Sequence, residues 1–137
     1  DCNSCCSDDE RDRELQAMVQ FAGENIEDYN NWPTQGCGSS AGGLADQFNT
    51  KLGVKCWVVR DQLVSGWLVI GVHSVVRLRP CGEKAISNDR YMDLWRDWYG
   101  EPVIEPRSFS GNYGGRELRS EDVFDDPSRM PVCGGRP

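Results

Sequence analysis

The sequence predicts an α+β fold. Two observations predict it: apolar residues recur at helical spacing in two stretches before Gly53, and after Gly53 the composition switches to β-branched and aromatic residues. A third observation, the length of 137 residues, sets the scale at one compact domain with attached termini.

Each element follows from its own residues. Ser7-Asp8-Asp9-Glu10 has the form of a capping box with acidic residues in the first turn, so a helix starts there. Leu15, Met18, Val19, Ala22 and Ile26 form its apolar stripe, and it ends between Gly23 and Asp28. Asp28 to Thr34 reads as a loop in which Pro33 holds Trp32 out of helical geometry. Cys37, Ala41, Leu44, Phe48 and Leu52 then share one face of a second helix that stops at Gly53. Gly42 and Gly43 weaken it by about 1 kcal/mol each against alanine. Either a neighbouring strand approaches closely there, or the helix is frayed or kinked.

Val54 to Arg60 is expected as a strand, Asp61 to Gly66 as a turn region with some strand character, and Trp67 to Arg79 as a long strand or a pair joined at Gly71. Along the last, Leu68, Ile70, Val72, Val76 and Leu78 share one side, with His73, Val75 and Arg77 on the other. Pro80-Cys81-Gly82 ends it and Glu83 to Asp89 is a polar connection. Arg90 to Trp95 resumes as a strand, with Tyr91, Asp93 and Trp95 facing one way and Met92 and Leu94 the other. Asp93 is thus a carboxylate among large apolar neighbours, where burial demands a partner. From Gly100 onward the chain reads as an irregular C-terminal strap. The expected organisation is a cysteine-rich anchor (1–7), a folded domain (8–99) and the strap (100–137).

A formal charge of -7 and a pI near 4.7 argue against non-specific binding to nucleic acid or to an anionic membrane, both of which need a basic field. The apolar run from Trp67 to Val76 is too short to span a bilayer, so no membrane span is expected. No internal repeat and no phosphate-cradling glycine loop occurs, which speaks against a nucleotide enzyme. The chain opens at Asp1 without a charged-then-apolar leader and reads as a processed or excised piece.

Seven cysteines suit an oxidising compartment, with six in three bridges and one thiol left over. Cys2, Cys5 and Cys6 should anchor the first helix to a distant cysteine such as Cys133 or Cys81, and Cys133 would staple the strap. The rival account is metal, because these three begin like a C-x-x-C knuckle, although no second pair follows.

Cys37, set between Gly36 and Gly38 at the start of a helix, is the candidate nucleophile. Unpaired backbone N–H groups and the positive end of the helix dipole favour a thiolate there. Free cysteine is also among the most buried residue types, so a packed or bridged Cys37 stands beside this reading. His73 on a following strand would take and return the proton, and Asp93 would orient the imidazole. A packed, backbone-bonded His73 and a turn-residue Asp93 are the alternatives.

Gly36-Cys37 through Ala41, Leu44 to Leu52-Gly53-Val54, His73-Ser74-Val75-Val76 and Met92-Asp93-Leu94-Trp95 together resemble the core of the papain-like superfamily, nearest its transglutaminase-like branch. The resemblance covers about residues 35 to 96. It implies a Cys-bearing helix packed on an antiparallel sheet, with His and Asp on neighbouring strands. The family's acid motif reads closer to Leu-Asp-Pro, where this chain has Met92-Asp93-Leu94. Gln35-Gly36-Cys37-Gly38-Ser39 is also similar to the papain signature. The Cys37 N–H and the Gln35 amide would form the oxyanion hole, and Trp32 is an alternative wall of the cleft. A second alignment makes Ser40 the nucleophile and leaves Cys37 to a bridge, but Cys37 to Leu52-Gly53 matches the family's helix length without a gap.

The implied activity is acyl transfer from a peptide bond or a glutamine side-chain amide, as protease, deamidase or transglutaminase, with no cofactor. The acidic, cysteine-rich domain also resembles effector domains of bacterial polymorphic toxins. That resemblance implies a protein or peptide substrate, secretion or delivery out of the producing cell, and an immunity partner. The competing class is a non-catalytic, disulfide-rich extracellular interaction module.

Overall fold

The computed structural model of the chain describes residues 2–29, 37–65, 72–83, 88–94, 103–108, 112–113 and 116–117. Within them the fold is α+β. Helices α1 (Asp8–Glu24) and α2 (Cys37–Thr50), with a 3-10 turn at Ile26–Tyr29 between them, precede β1 (Trp57–Ser65), β2 (Val72–Pro80), β3 (Arg90–Asp93) and β4 (Val103–Ser108). These four strands form one antiparallel sheet in chain order. Two short strands, β5 (Asn112–Tyr113) and β6 (Arg116–Glu117), pair with each other.

Helix α1 starts where its capping box requires. Glu10 N–H donates to Ser7 Oγ at 3.1 Å and Ser7 N–H donates to Glu10 Oε1 at 2.9 Å. Helix α2 ends before Gly53, whose φ of 63° lies in the left-handed region that reverses the chain after a helix. Met18 and Ala22 of α1 and Ala41, Leu44 and Phe48 of α2 are buried against Val59, Val76, Leu78 and Met92, so both helices cover one face of the sheet. The Phe21 ring meets Phe48 edge-on at 6.0 Å and joins the two helices.

Two expectations are corrected. Asp61 to Ser65 is strand, not turn, because the whole of β1 from Trp57 to Ser65 pairs with β2. Pairing of Asp61 and Gln62 with Val76 and Val75 of β2 outweighs their weak strand propensity. The region after Gly100 contributes β4 and the β5–β6 pair, so it is not wholly irregular. Pro106 masked β4 in the sequence, and β4 tolerates it as the last strand in the sheet order. Trp67 to Gly71, Trp95 and Cys133 lie outside the described residues.

One end of the molecule, here called the base, is where β1 begins and β2 ends. Disulfides Cys2–Cys81 and Cys6–Cys56 tie the N-terminal segment to it. The expected tie to Cys81 is therefore found. With Cys2 and Cys6 both in bridges, the chemistry of the N-terminal cluster is covalent cross-linking, not a knuckle of thiolates. Cys5 is exposed and belongs to neither bridge. Glu14 reaches from α1 to accept from Lys55 N–H at 2.9 Å and Cys56 N–H at 2.8 Å, and Trp57 Nε1 donates to Arg11 O at 3.1 Å. Gly82, at φ 87°, lies so close to Ser4 that an added Cβ would come within 2.7 Å of its Cβ.

The sheet face turned away from α2 carries a buried polar cluster. Asp89, fully buried, accepts from Arg77 Nε at 2.7 Å and from Arg79 Nε and Nη2 at 2.7 and 2.9 Å. Arg77 Nη1 also donates to Gln62 Oε1 at 2.7 Å. Asp89 closes the polar connection expected from Glu83 onward, and this clamp lies directly before the first residue of β3, Arg90.

Candidate functional site

Cys37 is the first residue of α2. The other end of the helix is fastened at the base, where Asn49 Nδ2 donates to Val59 O at 3.0 Å and Val54 N–H to Phe48 O at 3.2 Å. At 1.5 Å per residue, Cys37 stands about 20 Å along the axis from Thr50. On the sheet, His73 is the second residue of β2, opposite Val64 of β1, at the end of β2 remote from Pro80. Asp93 is the last residue of β3, likewise the end remote from the base. His73 and Asp93 thus sit toward the base-remote ends of the neighbouring strands β2 and β3, and Cys37 opens the helix that packs on them. For Cys37 and His73 the structure describes the backbone; Gln35 and Trp32 lie outside the described residues.

Alternation assigns the faces. Met92 and Leu94 join the core beneath the helices, whereas Tyr91, though buried, does not, and neither does Val75 of β2. Asp93 has the parity of Tyr91. It is 5% exposed and engaged in a polar interaction. The pairing of β3 with β4 slips between Tyr91 and Asp93, from Tyr91 opposite Arg107 to Asp93 opposite Val103. A slip of this kind re-aims a side chain at a strand end.

The first turns of α2 are tied to the segment before them. Ser40 Oγ, 2% exposed, donates to Tyr29 O at 2.5 Å. That overturns Ser40 as a nucleophile, because its proton is committed to a backbone carbonyl inside the protein. The Gly42-Gly43 pair also finds its explanation. A Cβ on Gly43 would lie 3.3 Å from Tyr29 Cε1, while nothing lies within 4 Å of one on Gly42. The close neighbour is thus the ring of Tyr29, not a strand. Burial, then the charges of Asp28 and Asp46, push the Tyr29 phenol above its ordinary value, so it stays protonated at neutral pH.

A cavity of about 330 Å³ lies at the base, lined by Cys2, Asn49, Val54, Trp57 and Arg60 among others. Among the described residues no group of three or more His, Cys, Asp or Glu side chains could hold a metal ion. No described helix is long and apolar enough to cross a membrane.

Sequence reasoning missed Glu14, Tyr29 and Asp89 as organising residues. Glu14 acts on backbone N–H groups, Tyr29 on the Ser40 hydroxyl and on Gly43, and Asp89 on two arginines of the preceding strand, all ten or more positions away, so local periodicity carries no trace of them. Comparison with protein-family models, with curated proteins and with solved structures finds no match. The functional reading therefore rests on the residues of this chain.

Proposed function

We propose that this chain is a cysteine-dependent acyl-transfer enzyme of papain-like, transglutaminase-like architecture, with Cys37 as nucleophile, His73 as general base and acid, and Asp93 as the group that orients the imidazole. What supports the reading is that Cys37 opens α2, a helix packed on the sheet, while His73 and Asp93 lie toward the base-remote ends of the neighbouring strands β2 and β3. A helix start bearing a cysteine provides N–H groups and a dipole that favour the thiolate.

The chemistry follows from those roles. The Cys37 thiolate forms a bond to the carbonyl carbon of a peptide or glutamine side-chain amide, and His73 gives its proton to the departing amine or ammonia. Water or an amine then attacks the thioester, His73 removes its proton, and the sulfur–carbon bond breaks. The Cys37 N–H with the Gln35 amide would hold the oxyanion, and Trp32 would wall the cleft. No cofactor enters. Two disulfides fit a protein that is secreted or delivered out of its producing cell, and a toxin domain of this kind would have an immunity partner.

A second reading, a non-catalytic disulfide-stapled extracellular module, is favoured by one observation. By strand alternation Asp93, and position 73 with Val75 and Arg77, belong to the sheet face turned away from α2, so a triad requires the carboxylate and the imidazole to meet the thiol around the sheet end.

Alkylation by iodoacetamide as a function of pH, read by peptide mapping of the unreduced protein, separates the two. The enzyme predicts a fast-reacting thiol at Cys37 with a sub-neutral midpoint, moved up by His73→Ala. It also predicts ammonia or amine release from a glutamine peptide that Cys37→Ala abolishes. Recovery of Cys37 in a disulfide would sink the enzyme and leave the module.

A further inference from the structure

We infer that Tyr29, Ser40 and Gly43 are positioning residues: together they lock the first turns of α2 into helical form and so set the reactivity of Cys37. The inference rests on the reading of Cys37 as the nucleophile.

The N-terminal part of α2 is poorly suited to stay helical by itself. Gly38, Gly42 and Gly43 fall within its first seven residues, and Ser39 and Ser40 compete for backbone hydrogen bonds. Helix ends built this way fray. A frayed first turn would also cost Cys37 its environment, because the N–H groups and the dipole favour a thiolate only while that turn is helical.

Tyr29 supplies the missing restraint. Its carbonyl accepts the Ser40 hydroxyl across eleven residues of sequence, and its ring lies over the bare backbone of Gly43. Both contacts fall within two turns of Cys37. Tyr29 is itself held: Asn25 N–H and Asn25 Nδ2 donate to Phe21 O at 3.1 and 2.8 Å, and Asp28 N–H donates to Asn25 O at 3.0 Å. The restraint thus runs from α1, through the 3-10 turn, to the first turns of α2. Gly43, unfavourable in a helix, is what lets the ring of Tyr29 lie there.

The lock makes a prediction opposite in sign to helix propensity. Gly43→Ala should strengthen an isolated helix, yet the added Cβ would press on Tyr29 Cε1 from 3.3 Å. The test is the pH–rate profile of Cys37 alkylation in the full chain, with urea unfolding followed in parallel. Ser40→Ala should slow alkylation at neutral pH by about fivefold, the scale of one lost hydrogen bond, and move the midpoint upward. Ser40→Thr, which keeps the hydroxyl, should restore both, and Gly43→Ala should move the midpoint in the same direction as Ser40→Ala. A reactive wild-type Cys37 with unchanged midpoints in Ser40→Ala and Gly43→Ala overturns the lock and leaves the nucleophile standing. A wild-type Cys37 that does not react fails the nucleophile reading, and the lock with it. If Ser40→Ala does not fold, the direction of the Gly43→Ala shift decides.

Discussion

The base of the molecule and the start of α2 are held in different ways. At the base, two disulfides, the Glu14 carboxylate on two backbone N–H groups and the Trp57–Arg11 bond all converge on the start of β1 and the end of β2. At the start of α2, the described restraints are one hydroxyl bond and one ring over a glycine. Local stability follows such restraints, and binding and catalytic segments are drawn from the less constrained regions of a fold. The difference teaches that the base acts as a redundant scaffold, whereas the described ties between the start of α2 and the segment before it run through one residue, Tyr29, and should respond to single changes.

The comparison breaks most sharply at the buried clamp behind the sheet. Asp89→Ala removes the carboxylate that Arg77 and Arg79 share inside the protein and should destabilise by about 3–5 kcal/mol, read as a fall in the urea midpoint. A loss below about 1 kcal/mol would show that the clamp does not hold β3.

Next comes covalent redundancy. Replacing both Cys6 and Cys56 by serine opens a loop with a sequence separation of 50 and should cost about 2–4 kcal/mol in the same assay. If α1 also relies on Glu14 and Trp57, its amides should keep their hydrogen-exchange protection in this variant. Loss of that protection would mean that the disulfide alone docks the helix.

Glu14→Gln sharpens the same point at smaller size. The amide keeps one acceptor oxygen but loses the charge that strengthens both backbone bonds, for an expected loss of about 1.5 kcal/mol. The Cys37 alkylation profile should not change, since the two regions are separately restrained. A shifted profile would couple the base to the candidate site.

The smallest effect is a pH dependence at the start of α1. The Ser7 backbone N–H, with help from the Ser7 side chain and Arg13, holds the Glu10 carboxyl below its ordinary 4.5 against a smaller opposing effect of desolvation. A carboxyl with a depressed folded value contributes stability above the unfolded pKa and loses it as pH falls through the folded value. Glu10→Gln should therefore lower stability slightly at neutral pH and flatten the acid limb below about pH 4.5, so that the two profiles converge in acid. An unaltered acid limb would remove the capping box as its source.

What was legible in the sequence is what depends on near neighbours. The Ser7–Glu10 box, the apolar stripe of α2 from Ala41 to Phe48, the stop at Gly53 and the alternation of Met92 and Leu94 against Tyr91 and Asp93 all involve residues within about a turn or a pleat of one another. Those patterns determined an α+β chain with Cys37 opening a helix and His73 and Asp93 on strands. They did not determine that β1 runs to Ser65, because a strand's length depends on its partner as much as on its own residues.

Only the tertiary structure decided the rest. It paired Cys2 with Cys81 and Cys6 with Cys56, a choice that counting cysteines leaves open. It turned Ser40 from a possible nucleophile into a tether, and gave Gly43 its reason in the ring of Tyr29. It buried Asp89 between two arginines of β2. Each of these contacts joins residues ten or more positions apart, and chain closure over such distances is repaid only when the whole core forms. Sequence periodicity records which face of an element is apolar; which distant residue meets that face is settled by packing.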